Sequence, residues 1–339
     1  MRHRSYFSHS LRAATVLSTL SVFVGGGQAQ TKTDKTSVPE AEAKAANVVR
    51  AAPDTTAKLA AAAVFIKKYP KSTVRKQVAD YISDQVHDEK DPNQKLAYAQ
   101  KALAIFTEPS EVSDLKSALI DVYIKLNRFD EAFSEGASLL AKDPDDIQIL
   151  INLAIVGTEQ GKQQNAKFIP QASQYGAKAI ELIEADKMPA NLDAVSWGRY
   201  KAMLAQLYQE MGIISFMQQD PVAAASKLEK ASKLNPADPF NYLLLANIAN
   251  NEYLQVAKTH KDLPDGKAKD DLLQKANGLI DKMIDLNAHA VALSEGKAPY
   301  QQLHDRALED LSFYYKYRHK NSTDGMQKLI DGYKLPASP

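Results

Sequence analysis

The chain has no cysteine in 339 residues, so neither a disulfide framework nor a thiolate metal site can exist. Glycine and proline are sparse, at 14 and 15 residues, which argues against a sandwich or barrel built on frequent tight turns. Charge of one sign is also lacking. With 42 basic and 41 acidic side chains there is no excess from which phosphate neutralisation could draw affinity, and nucleic acid is not an expected partner. No run beyond residue 29 is apolar enough to cross a bilayer. What remains is a chain that is 45% hydrophobic and 24% charged, enough to bury a core whose stability must come from packing.

The first 29 residues read as a secretory signal. Arg2, Arg4 and Arg12 make a basic start, an apolar stretch runs from Leu11 to Val24, and Gly27-Gln28-Ala29 suits cleavage after Ala29. Removing them leaves 39 basic against 41 acidic residues, a net charge of −2. Residues 30–37, rich in Thr, Lys and Asp, read as a disordered tether before a helical domain over 38–335. The expected location is periplasmic or secreted.

Beyond the tether one phrase recurs: an amphipathic helix, a polar end, then proline with a small polar residue. It appears at KKYPKS, FTEPS, AKDPDD, DKMPAN, KLNPAD and YKLPAS, with prolines at 70, 109, 144, 189, 236 and 336. The first four gaps are 39, 35, 45 and 47 residues, each the length of one helix-turn-helix unit, and DLNAHA (285–290) reads as a unit end that has lost its proline. Proline suits these places because it cannot continue a helix but can begin one. In residues 113–127, Leu115, Ala118, Leu119, Val122, Tyr123 and Leu126 recur at helical steps. After Asn127-Arg128 a second stripe carries Ala132, Phe133, Gly136 and Leu140. Two such helices fold back on each other, and neighbouring hairpins must then stack to bury the remaining apolar faces. Seven hairpins are expected, over 38–69, 72–107, 110–142, 145–186, 191–234, 238–286 and 297–333.

Asp91-Pro92, Asp220-Pro221 and Asp238-Pro239 mark helix starts, with Pro53-Asp54 and Ser110-Glu111 as similar signals. Gly161, Gly266 and Gly325 are expected in loops. Trp197 is expected to begin a long helix through Met217 as a packing anchor. THKDLPDGKAKDD (259–271) reads as a solvated insertion between helices, since its acids lack the alternate spacing of a calcium loop. FYYKYRHK (313–320) reads as the terminal helix, its aromatics buried and Lys316, Arg318 and Lys320 turned outward.

These units resemble the tetratricopeptide repeat family. In the third hairpin Tyr123, Ala132 and Pro144 are spaced by 9 and 12, and in the fifth Gly212, Ala224, Ala231 and Pro236 by 12, 7 and 5. Elsewhere the third hairpin departs from the pattern: Lys116 stands for its early tryptophan, Ile120 for its first glycine and Gly136 for the aromatic of its second helix. The resemblance implies an all-α superhelix that binds a peptide or protein segment in a concave groove lined by each unit's first helix. Carried over by position, the groove residues are Asp114, Ser117 and Asp121 in the third hairpin and Asn241, Tyr242 and Leu245 in the sixth. Ser117, Asp121 and Ile149 stand where some relatives grip a terminal carboxylate, so that mode is not implied.

No cofactor, metal site or catalytic set is expected. The seven histidines include no pair four residues apart, and the GxSxG, GxGxxG and GxxxxGK[ST] motifs are missing. Asp145-Asp146 and Asp270-Asp271 read as helix-start acids. The sequence points to a non-catalytic adaptor with a protein or peptide partner. A structural subunit of a homo-oligomeric envelope assembly is the second expectation, and a cell-wall enzyme on a helical scaffold a distant third.

Overall fold

The computed structural model describes residues 38–189 and 192–334. The expected signal, its cleavage point, the tether to residue 37 and Pro336 lie outside them. Among the described residues there are fifteen α-helices, two single turns of 3-10 helix and no strand. The helices pair in chain order: α1 (Glu40–Ala51) with α2 (Thr55–Lys68), α3 (Arg75–Asp88) with α4 (Pro92–Ile105), and α5 (Pro109–Lys125) with α6 (Phe129–Leu140). Then α7 (Ile147–Lys162) pairs with α8 (Ile169–Glu184), and α10 (Leu204–Met217), preceded by the short α9 (Ala194–Ala202), with α11 (Pro221–Leu234). The last pair is α12 (Pro239–Asp262) with α13 (Lys267–Ser294), and α14 (Gln301–Arg318) and the short α15 (Met326–Asp331) both pack on α13.

Capping explains where these helices start. Asp54, Asp91, Asp146 and Asp220 each accept the amide three residues on, at 2.8, 2.8, 3.1 and 2.9 Å, and Asp238 accepts the Phe240 amide at 3.0 Å. Each carboxylate satisfies an amide that has no partner within the helix. At the third hairpin the helix begins earlier than Ser110-Glu111 suggests. Glu108 is the cap and Glu111 sits in the first turn, its carboxylate turned back to the Glu108 amide at 3.4 Å.

Core residues do not gather around one centre. An apolar cluster from Ala46 to Leu119 is followed by one from Ile120 to Ala231, then a small one from Ala224 to Leu286 and a last one from Leu243 to Ile330. Tyr123 packs against both the first and the second. The principal helix contacts stay within a hairpin or pass to the next one, as in α3 with α5, α7 with α10 and α12 with α14. This is the signature of a linear stack, in which every unit uses its neighbours as its core.

Several sequence expectations fail locally. DLNAHA does not end a unit: α13 passes through it to Ser294, because Leu286, Ala288 and Ala290 are buried helix formers with no glycine or proline to stop the turn. The stretch 259–271 is mostly helix, with only residues 263–266 between α12 and α13. Gly161 lies inside α7, where a Cβ would come within 2.4 Å of Ile169 Cδ1, so close packing explains it rather than a turn. The long helix expected from Trp197 through Met217 is interrupted at Met203, and 313–320 is not the terminal helix, since α15 follows α14. Trp197 is the anchor expected, 4% exposed with its indole N–H donating to Asp186 at 2.8 Å. In 313–320 only Tyr315 is buried, while Phe313 and Tyr317 are 66% and 61% exposed.

Candidate protein-binding groove

Close approach between helices comes from residues without bulk. A Cβ at Gly212 would lie 2.7 Å from Leu228 Cγ and 3.3 Å from the Ala224 carbonyl, so this glycine lets α10 and α11 touch. Ala224 and Ala231 are wholly buried in the same seam. Gly136 plays a related part: its missing Cβ leaves the place taken by Leu153 of the next hairpin, whose Cδ1 would sit 2.3 Å from a Cβ there. The fold is a tetratricopeptide-like helical repeat. Gly136, which departs from the usual aromatic, is thus compensated by an aliphatic side chain supplied from α7.

The expected groove side is that of the first helices, α1, α3, α5, α7, α10, α12 and α14, with the short α9 leading into α10. Asp121 of α5 is half-buried there. Its carboxyl is pushed up to about 6 by burial, against the opposing pull of Lys125 and Lys95. It meets no hydrogen-bond donor among the described residues, and both lysines act on it only through space. Lys95 at the start of α4 donates to the His87 carbonyl at 2.6 Å, and burial beside Lys125 holds its ammonium below the usual lysine range. Tyr200 of α9 completes the cluster. Burial, and then the carboxylates of Asp146 and Asp121, push its hydroxyl up. Four elements, α4, α5, α7 and α9, therefore bring two acids, two lysines and a phenol to one region of the stack.

Ser117 is half-buried on the same helix, one turn before Asp121. The side chain of Asp114 lies outside the described residues. In the sixth hairpin the expected residues do not face a groove. Asn241 is 1% exposed and accepts from Gln209 Nε2 at 2.9 Å, tying α10 to α12, while Leu245 is 5% exposed inside the cluster with Leu228 and Leu286. Tyr242 is turned to α13, stacked on His289 with centroids 4.5 Å apart, and its hydroxyl donates to the Pro236 carbonyl at 3.3 Å. The spacing of four between Asn241 and Leu245 marks the buried stripe of α12. Its half-buried polar side is Asn247 and Asn250, three residues apart. The asparagine-rich run ANIANNEY (246–253) was the available signal for it. Lys95 and Tyr200 carry no comparable mark, because they come from other hairpins.

A buried carboxylate with a raised pKa is a feature of acid catalysts, and Glu210 has one. Burial pushes it up, but Lys162 pairs with it at 3.2 Å and the two fill the α7–α10 seam. That is an ion pair joining neighbouring hairpins. Among the described residues no group of three His, Asp or Glu side chains could hold a metal ion, and no helix is long and apolar enough to cross a membrane.

No family model matches the sequence. No curated protein matches it. Among solved structures the chain is similar to PilF of Pseudomonas aeruginosa at 17% identity, over 76% of this chain and 97% of that one, with a TM-score of 0.37. It is similar to a tetratricopeptide repeat protein of Parabacteroides merdae at 12% identity, over 78% and 96%, with a TM-score of 0.37. A third is the C-terminal part of a TPR repeat-containing protein of Cytophaga hutchinsonii, at 14% identity over 87% and 100%, with a TM-score of 0.40.

Proposed function

We propose that this chain is a non-catalytic adaptor of the cell envelope that holds a protein segment along the first-helix side of its stack, with Asp121 at the contact. The observation that carries this is Asp121, a half-buried carboxyl that burial pushes up to about 6 and to which no protein group donates among the described residues. A half-buried carboxylate without a donor costs stability, and an arriving N–H or ammonium offsets that cost by taking the missing place. Tyr200 beside it supplies a broad amphipathic surface of the kind enriched at binding hot spots. The basic, apolar start of the chain and the site after Ala29 support export.

The test is a photo-crosslinking amino acid placed at Ser117 or Tyr200 in cells, with Lys101 on the exposed side of α4 as control. One shared partner at the first two positions, absent at Lys101 and reduced by Asp121→Lys, is the expected result. Equal labelling at all three positions would discard the groove. Terminal sequencing of the purified mature protein should begin at Gln30, and an intact Met1 would contradict export by cleavage.

A second reading, a self-stacking structural subunit, is favoured by the end of the stack. α15 has 6 residues against 18 in α14 and is held against α13, and Phe313 and Tyr317 of α14 stay exposed. A monomer by light scattering at high concentration rules this out.

A further inference from the structure

α12 and α14 run side by side in one direction, since their contacts advance together along both. The rings of Phe240 and Tyr300, just before α14, meet edge to face with centroids 5.9 Å apart, and Arg306 reaches Asn247 Oδ1 at 3.5 Å. Further on, the Tyr314 hydroxyl donates to Asn250 Oδ1 at 2.8 Å, and the Tyr253 and Tyr314 rings lie 6.4 Å apart. The side of α12 that faces this furrow repeats every seven residues, as Phe240, Asn247, Leu254 and Lys261. Phe240 is 45% exposed and Leu254 54%. Tyr317, one turn past Tyr314 and 61% exposed, faces the Leu254 end. The furrow is therefore apolar at both ends and polar in the middle, where a cavity of about 70 Å³ opens between Asn247, Asn250, Arg306 and Asp310. Beneath it Asn287 of α13 has an Oδ1 that meets no donor, but the atom is shut off from the furrow and takes no part in it.

We infer that this furrow holds an extended segment of the partner with two apolar side chains about six residues apart, and with an acid beyond the one seated on Leu254. Spacing fixes the first part. Phe240 and Leu254 are four turns apart, about 21 Å at 1.5 Å per residue. An extended chain covers that length in about six residues at roughly 3.3 Å each, and side chains six apart project to the same side. A helix, about 10–12 Å across with its side chains, is too wide where Tyr314 and Asn250 close the furrow by direct contact. Charge fixes the second part. Lys258 and Lys261 follow Leu254 on its stripe, both exposed, and neither meets an acid among the described residues. In the middle, Asp310 has Arg306 4.0 Å away, so the uncompensated positive charge lies at the Leu254 end. Among the described residues no stretch of seven lies extended, which favours another protein over a second copy as the source.

The furrow rests on the proposed adaptor role only for the source of the segment, and synthetic probes separate the two. Blocked peptides SFSQSQSLEE and EELSQSQSFS, their lysine counterparts, and SFSQLSQSEE with a closer apolar pair are titrated into the labelled full-length protein. The Leu254 methyl and the Phe240 and Tyr317 ring signals are followed. One of the two widely spaced acidic peptides is expected to saturate all three signals, about fivefold tighter at low salt than its lysine counterpart and about tenfold tighter than the closely spaced one. Leu254→Ser, on the surface and no threat to the fold, should weaken binding about tenfold, and Lys258→Glu with Lys261→Glu should reverse the preference to the lysine peptide. Val222→Ser, at an 80% exposed position of α11, should change nothing. Equal affinity for acidic and lysine peptides, indifference to spacing, or binding untouched by Leu254→Ser overturns the assignment. Signals that move with protein concentration alone, or with phosphatidylglycerol vesicles, also overturn it, in favour of a second copy or a bilayer. Peptide binding that survives Asp121→Lys, in a protein that crosslinks to nothing at Ser117, leaves the furrow standing and removes the Asp121 contact.

Discussion

Arg75 of α3 grips Glu111 of α5 through two parallel bonds, Nε to Oε1 at 2.7 Å and Nη2 to Oε2 at 2.9 Å, with only 14% and 3% of the two side chains exposed. The same guanidinium donates to the Pro70 carbonyl at 3.0 Å, so one residue ties the end of the first hairpin and the start of the third to the second. The bidentate geometry holds the Glu111 carboxyl below its usual range and the guanidinium above its own.

Removing one partner of this clamp leaves the other buried and unpaired. Glu111→Ala is expected to destabilise the protein by about 3–5 kcal/mol in urea unfolding, and Arg75→Met with Glu111→Leu to recover most of that loss. Because the folded pKa of Glu111 is depressed, its contribution is present above the ordinary glutamate pKa and disappears as pH falls through the lower folded value. An acid titration of stability in Glu111→Gln should be flatter below pH 5 than in the parent.

Asp121 has the opposite sign. Its folded pKa of about 6 lies above the unfolded value near 3.9, so the folded state binds more protons between these limits and stability falls as pH rises through them. Asp121→Asn is expected to stabilise by about 1–3 kcal/mol at pH 8 and by little at pH 4, while weakening capture of the partner. A thermal melt series from pH 4 to 8 checks the first part. An equal gain at both ends would show that the carboxylate is not desolvated.

Glycines divide by what surrounds them. Gly157 faces Ala172, whose Cβ would lie 2.5 Å from a new Cβ, and Phe168 O at 3.3 Å, and neither can turn away. Gly157→Ala should therefore cost about 1–3 kcal/mol despite the gain in helix propensity. Gly278, exposed within α13, has nothing within 4 Å of a new Cβ, and Gly278→Ala should stabilise by about 0.5–1 kcal/mol. Denaturant midpoints of the two variants should move in opposite directions.

His289 lies between Tyr242 and Tyr333, with Asp285 on the same helix accepting from the Tyr333 hydroxyl. Burial holds its imidazole below the usual histidine pKa, although Asp285 pulls the other way. A depressed value means that stability is present above pH 6.5 and lost as pH falls through the folded pKa. Hydrogen exchange at Ile330 in α15 should speed up on acidification from pH 7.5 to 5, and His289→Phe, which keeps the stack and cannot titrate, should remove that dependence.

The sequence by itself determined the helix class, the pairing into hairpins and most helix starts, because aspartate caps and apolar periodicity act within a few residues and owe little to the rest of the chain. The resemblance to the tetratricopeptide pattern picked out Gly212, Ala224 and Ala231 by their spacing, and the structure places them in the α10–α11 seam. Tertiary structure decided which stripe of a helix meets which neighbour. Asn241 and Leu245 sit at plausible groove positions, yet α10, α11 and α13 cover them, and the run of α13 through DLNAHA was permitted by a buried face that only neighbouring hairpins provide. Asp121 acquires its shifted carboxyl, and Asn287 its unmatched oxygen, from side chains tens of residues away or on other helices. Solvent exclusion is set by that packing, and no periodicity along one segment can encode it.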